Sequence, residues 1–344
     1  MGCLRRLFIA LLLLLAVAAA AVYGLYRLRE VAAAPFQGYS ANEMFFTIEP
    51  GQSSTSIARS LEEQGIIRDR RLFRAALKYR RLEARLQAGE YRFAGPASTF
   101  DVIERLARGD VYFTTITIPE GLTTFEIAAL MANKALGEEE ELRSAFGSAE
   151  LIAELDPDAM DLEGYLCPDT YRFPRKPSAA DVARALVERF KSSFDDTRRA
   201  RAAVRSLSVR QLVTLASIVE KETGQVAERP LIASVFANRL ARGMLLQSDP
   251  TIIYELKRDG LFDGNLRRVD LERDSPYNTY RRAGLPPGPI ASPGQAAIDA
   301  VLEPAESAYL YFVGRNDGTH HFSRTLTEHN AAVRQFQVRP RRSQ

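Results

Sequence analysis

The 344-residue chain contains no tryptophan, two cysteines and three histidines. Without Trp, any stacking on a ligand falls to its 13 tyrosines and 18 phenylalanines. Cys3 and Cys167 stand too far apart in sequence for a zinc knuckle or a redox pair, and two thiols make no disulfide framework. One-sided charge is missing too. Forty-six Lys and Arg oppose 43 Asp and Glu, and a net charge of +3 argues against a nucleic-acid binder. No glycine-rich phosphate loop and no G-x-S-x-G elbow occurs. What remains is a globular composition, 46% hydrophobic and 26% charged, which excludes disorder, collagen and a multi-span membrane protein. At roughly 150 residues per domain, the length gives two domains and some extra chain.

One long apolar run stands out. Residues 7–26 are twenty uncharged, mostly apolar residues between Arg5-Arg6 and Arg27. A helix of that length rises about 30 Å, the thickness of a hydrocarbon core. A cleavable signal peptide has a shorter apolar region, roughly 7–15 residues. The alanine-rich run at 16–21 offers that alternative, but the stretch continues through Val22, Tyr23 and Leu25, which favours a retained anchor. Arg27 and Arg29 match Arg5 and Arg6 in number, so charge alone does not orient it. The economical reading is a cytoplasmic tail at 1–6, a transmembrane helix at 7–26 and the rest exported. Cys3 then stays in a reducing compartment and Cys167 lies outside as an unpaired thiol.

Residues 27–44 read as a tether. A near-repeat follows: "FFTIEPGQSSTSIARSLEEQGII" and, about seventy residues later, "TTITIPEGLTTFEIAALMANKAL". Each runs from a short strand through a Pro/Gly turn to a helix, the first with Ile57, Ala58 and Leu61 inward, the second with Ile127, Ala128 and Met131. "GEYRF" at 89–93 reads as a strand, and Thr99 can cap a helix that turns Val102, Ile103 and Leu106 inward. Strand, helix, helix and strand in about 50 residues make a compact module at 45–113. Its spacing resembles LysM-like domains, which bind the amino-sugar backbone of peptidoglycan; a plain packing module is the alternative. Residues 114–340 read as one larger α+β unit, with helices near 124–136, 179–191, 208–222 and 230–242. Strand-like runs at 309–313 and 321–323 flank Asn316-Asp317-Gly318, a strong hairpin signal, and 327–337 reads as a closing helix.

The most informative helix is "SVRQLVTLASIVEKETG". Ser208 and Gln211 form a capping box, Gly224 stops the helix, and Leu212, Leu215, Ala216 and Val219 make its apolar stripe. Lys221 points away from that stripe, while Glu220 and Glu222 sit on its two borders. A carboxyl group at such a border is partly desolvated, which raises its pKa toward that of a general acid. Two surface glutamates near a helix end are the bland alternative. Periodicity does not choose between Glu220 and Glu222.

Further along, "MLLQSDPTIIYEL" packs Gln247, Ser248 and Asp249 at a helix start marked by Pro250. "SPYNTYRRAGLPPGPIASPG", residues 275–294, carries five prolines and no periodicity, and a loop of that length inside a compact domain is functional or disordered. Its Tyr277, Tyr280, Leu285 and Ile290 argue for order. Tyrosine faces beside Asn278 and Thr279 suit a sugar, and "LEGYLCPDTYRF" adds Glu163, Tyr165, Asp169 and Tyr171. His320, His321 and His329 show neither the i, i+4 pairing nor the Cys/His spacing of zinc sites, so they read as hairpin supports, with no metal and no cofactor.

The strings "EGYLCPDTY", "ASIVEKET", "LQSDPTIIY", "YNTY", "GLPPGPIASPG" and "YLYFV…HHF…EHN" resemble, in the same order, the endolytic murein transglycosylases of the MltG (YceG-like) family. The resemblance covers nearly the whole chain. Cys167 departs from it, standing where a large aromatic is expected. The resemblance implies a single-pass inner-membrane protein whose periplasmic part cuts nascent peptidoglycan strands internally, with penicillin-binding synthases as partners and strand termination as its role. It places the catalytic acid on Glu220; the residues of the clusters above add Glu163, Asp169, Gln247, Asp249, Tyr277, Asn278, Thr279 and Tyr280 as substrate-binding candidates. It also implies a lyase step that leaves 1,6-anhydro-N-acetylmuramic acid ends. A non-catalytic wall-binding scaffold and a hydrolase with Glu163 or Asp249 as base are the alternatives.

Overall fold

The computed structural model describes residues 2–338, with only the backbone described for 2–6. Met1 in the tail and residues 339–340 of the larger unit therefore lie outside the described residues. The chain forms two compact units, Met1–Phe113 and Thr114–Gln344.

The first unit opens with α1 (Gly2–Ala33), whose segment Leu7–Ala33 is long and apolar enough to cross a membrane. The helix does not stop at Tyr26. It runs seven residues into the stretch expected to be a tether, because residues 27–33 are good helix formers and the first proline is Pro35. Within that extension Leu28 and Val31 are half-buried and Ala32 is buried. Next come β1 (Met44–Ile48), α2 (Ser54–Glu63), α3 (Arg70–Arg80), β2 (Gly89–Phe93) and α4 (Thr99–Arg108). β1 and β2 pair antiparallel, with Met44 opposite Phe93 and Ile48 opposite Gly89. Their alternation turns Phe46, Ile48, Tyr91 and Phe93 onto the helices. Each such aromatic contributes roughly 1.5–3 kcal/mol by its burial. The second helix of the expected strand, helix, helix, strand order is α3, started by Asp69, whose carboxylate accepts from the Arg71 and Leu72 N–H groups. The cap of α4 is Ser98 rather than Thr99. Ser98 has extended backbone angles and a reciprocal box with Asp101, whereas Thr99 is already helical.

The second unit contains β3 (Thr114–Thr117), α5 (Thr124–Asn133), α6 (Glu139–Phe146), β4 (Thr170–Phe173), α7 (Ala179–Ser193) and α8 (Asp196–Val204). It continues with α9 (Val209–Glu222), α10 (Arg229–Ala241), α11 (Asp249–Arg258), α12 (Arg268–Leu271), α13 (Gln295–Leu302), β5 (Tyr311–Gly314), β6 (His320–Ser323) and α14 (Leu326–Val333). β3 pairs antiparallel with β4, and β5 with β6. The class is mixed helix and strand, with helices dominant and the sheets two-stranded.

The centre of the unit is α9. A single apolar stripe is expected there, but every residue from Leu212 to Val219 is buried. α10 and α13 pack against this helix, so no side of its middle faces water. The loop at 275–294 is ordered and largely internal, and its stretch 286–294 runs mostly buried beneath the surface. Ile290 N–H donates to Ser217 Oγ on α9 at 3.0 Å. Gly164 lies where this strap crosses: its φ is +84°, and a Cβ there would stand 2.5 Å from Pro289 Cβ. Cys167 is buried in the same core, and burial pushes its thiol pKa up.

Candidate active site

The last turn of α9 delivers its two glutamates to different surroundings. Glu220 is held from both sides: Arg229 Nη2, at the start of α10, donates to Oε1 at 2.6 Å, and the Gly294 N–H donates to Oε2 at 3.0 Å. The same guanidinium nitrogen reaches Glu120 Oε2 at 3.2 Å, in the turn after β3. Lys221 Nζ donates to the Gly121 carbonyl at 3.0 Å, and Gly121 N–H to the Ser292 carbonyl at 2.8 Å. The side chains of Arg229 and Glu220 are 5% and 7% exposed, and Arg229 Nε and Nη1 are buried without partners among the described residues. This network ties together the β3–α5 turn, the end of α9 and the starts of α10 and α13. Burial pushes the Glu220 pKa up, while the Gly294 N–H and Arg229 pull it down. Both of its oxygens are committed within the protein.

Glu222 faces a cleft of about 510 Å³. Gln247, Asp249 and Tyr280 line it beside Glu222, and Tyr311, His320 and His329 contribute to its lining from the C-terminal hairpin and α14. That volume lies within the usual range for ligand sites, roughly 300–1,000 Å³. Ser248 Oγ donates to Glu222 Oε1 at 2.5 Å. Burial pushes the Glu222 pKa up to about 7, against the pull of the Ser248 hydrogen bond and of Arg239; Asp249 adds to the rise. Tyr280 OH donates to Asp249 Oδ1 at 2.6 Å.

The loop residues hold this wall from behind. Thr279 accepts the Gln247 N–H on its carbonyl and the Ser248 N–H on its hydroxyl, both at 3.0 Å. Gln247 itself sits at φ +51°, so these bonds fix an uncommon backbone. Asn278 is fully buried and donates its amide to the carbonyls of Leu271 and Arg273. Tyr277 is buried against Tyr254, with Arg258 over its ring.

The expected site residues therefore separate. Gln247, Asp249 and Tyr280 share the cleft with Glu222, Thr279 braces its wall, and Asn278 ties the loop to the carbonyls of Leu271 and Arg273, while Tyr277 lies instead with Glu163 on a separate small cavity. Glu163 is elsewhere, buried at the N-terminus of α5, where it accepts from Thr124 N–H and Oγ1 and where burial lifts it to about 8. Asp169 sits at the β4 end in an exposed ion pair with Arg189, and its carboxyl is held low chiefly by the Thr170 N–H and by Arg189. Arg239, Tyr311 and Asn330 also line the cleft; Tyr311 and Asn330 fall within the strings "YLYFV" and "EHN", but none of the three is an expected site residue. The histidines pointed toward them. His320 Nδ1 pairs with Glu228 at 2.7 Å, and the His329 ring stacks on Tyr311 at 5.2 Å. Burial, with Arg239 and His321, holds His329 below the usual range.

An α+β enzyme-like unit with a buried acid in an open cleft, preceded by a small module and an apolar helix, is a defined class. The YceG-like family profile matches residues 46–335, and the chain belongs to that family. The endolytic murein transglycosylase of Bacillus subtilis is 33% identical over 318 residues, covering 88% of this chain and 87% of that protein. The endolytic murein transglycosylase of Streptococcus pneumoniae is 29% identical over 364 residues, covering 96% of this chain but 65% of its own length. A crystal structure of a yceG-like protein from Listeria monocytogenes matches with a TM-score of 0.58 at 32% identity, covering 84% of this chain and 98% of that one.

Proposed function

We propose that this protein is an endolytic murein transglycosylase whose single acid–base group is Glu222, two residues beyond the one the family resemblance indicates. The observation that carries the assignment is the contrast at the end of α9. Glu222 opens on a 510 Å³ cleft with its pKa raised to about 7, whereas Glu220 has both oxygens bonded by Arg229 and Gly294. A carboxyl near its ordinary value of about 4.3 would hold too little proton at neutral pH. Protonated Glu222 donates to the glycosidic oxygen between N-acetylmuramic acid and N-acetylglucosamine. The carboxylate left behind takes the proton of the muramic C6 hydroxyl, whose oxygen bonds to C1 as the C1–O bond to the leaving sugar breaks. Ser248, donating to Oε1, orients the group and stabilises its charged form.

Gln247, Asp249 and Tyr280 are the positioning residues for the strand, and Tyr280 supplies a sugar-stacking face. On this reading α1 holds the protein in the inner membrane with both units on the periplasmic side, beside the penicillin-binding synthases that make the strands. The module at 45–113 serves as a glycan-binding element. Mass spectrometry of muropeptides released by the wild type, Glu222→Gln and Glu220→Gln tests the assignment. Anhydro ends that vanish in Glu222→Gln support it. Reducing ends would instead indicate a hydrolase with Asp249 as base, and no release by the wild type would leave a scaffold.

A further inference from the structure

Charge along the chain is close to balanced, yet one segment is not. Residues 68–85 hold eight basic residues and two acidic ones, a net of +6 where the whole chain carries +3. Most of that charge sits on α3 and its ends. Phe73, Ala76 and Leu77 bury one side of α3. At 100° per residue, Arg71, Arg74 and Lys78 fall within about 60° of one another on the far side. All three are exposed, and none forms an ion pair among the described residues. Nearby acids are already engaged: Glu62 with Arg70 and Glu104 with Arg80.

The position of α3 gives that face its partner. α1 packs on α3 and α4 through Leu28, Val31 and Ala32, the residues of its 7–33 stretch that lose exposure. Those residues follow Tyr26 by two to six positions, about 3–9 Å of helix rise. Packed helices lie about 8–10 Å apart. α3 is thus held beside the point where α1 leaves the apolar run. A headgroup layer adds about 5–7 Å beyond each face of the hydrocarbon core, and the Debye length at physiological salt is about 8 Å.

We propose that the Arg71, Arg74 and Lys78 face binds the anionic phospholipid headgroups of the leaflet from which α1 emerges. The inference rests on α1 being inserted as a span. The contact fixes the first unit against the membrane surface and limits how far the chain swings about its anchor.

Lys78 is the only lysine in the first 113 residues, so its amine reports on this face directly. The full chain is reconstituted in nanodiscs of phosphatidylcholine alone or containing phosphatidylglycerol, and the acetylation rate of Lys78 is read by peptide mass spectrometry. Exposed Lys134 in the second unit is the internal reference. Anionic discs should slow Lys78 by at least about fivefold relative to Lys134, and 1 M salt should restore the rate. Arg71→Glu with Arg74→Glu should abolish the slowing. A chain that enters the discs with equal Lys78 rates in both lipids overturns the lipid contact alone. Slowing that appears equally in neutral discs, and only on adding murein fragments, overturns it in favour of a wall polymer. A chain that does not enter discs removes the membrane span and the lipid contact together.

Discussion

Replacing Glu222 with glutamine keeps the side chain's size and its bond from Ser248, and removes the proton the reaction moves. General acid–base catalysis contributes about 10²–10⁴-fold, or about 3–5 kcal/mol at roughly 1.4 kcal/mol per decade. One group serves both half-steps here, so kcat should fall at least that far. The thermal midpoint should hold or rise slightly, because the folded state no longer carries a desolvated carboxyl. Glu220→Gln should behave in the opposite way. It removes the charge that faces Arg229 in a pair whose side chains are 7% and 5% exposed. Breaking a buried pair costs about 3–5 kcal/mol. Glu120 still reaches Arg229, and glutamine can still accept its hydrogen bond, so about 1–3 kcal/mol is expected. For a unit of this size that lowers the midpoint by roughly 2–12 °C, at about 2–4 °C per kcal/mol. Anhydro-muropeptide release, measured by mass spectrometry well below both midpoints, and a calorimetric scan on each variant give the two readings. A Glu220→Gln variant that is folded, unshifted in midpoint and inactive, beside an active Glu222→Gln, would refute the reasoning.

Because the acid must be protonated and its pKa is raised to about 7, kcat/KM should decline as pH rises through about 7; a plot flat to pH 9 contradicts this. Glu163 binds its proton more tightly folded, near 8, than unfolded, near 4.5, so its contribution to stability is complete below about 4.5 and lost as pH rises toward 8. Glu163→Gln should flatten that decline in denaturant titrations at pH 5 and pH 8, and an unchanged difference between the two would count against it. Gly164→Ala forces a Cβ to 2.5 Å from Pro289 at a φ of +84°, which should cost about 2–4 kcal/mol in urea unfolding. A loss under 1 kcal/mol would mean the strap moves freely.

Local rules carry much of this molecule. Twenty consecutive uncharged, mostly apolar residues and the good helix formers after them specify α1 to Ala33, and only the packing of Leu28, Val31 and Ala32 needs α3 and α4. The Ser208–Gln211 box starts α9 as written, and Asn316-Asp317-Gly318 joins β5 to β6, because caps and tight turns are satisfied within a few residues. The family is legible for a similar reason: its strings are short, ordered and chemically distinctive. The choice between Glu220 and Glu222 is of another kind. Helical periodicity assigns a direction only relative to an apolar stripe, and α9 has none across residues 212–219, since α10 and α13 close around it. Which glutamate meets a cation and which meets a cleft is then set by Arg229, Gly294 and Ser248, whose positions come from long-range chain crossings. Asn278 and Thr279 look like sugar ligands in sequence for the same reason that they serve as braces in the fold. Their hydrogen-bonding groups suit either partner, and burial decides which one they meet.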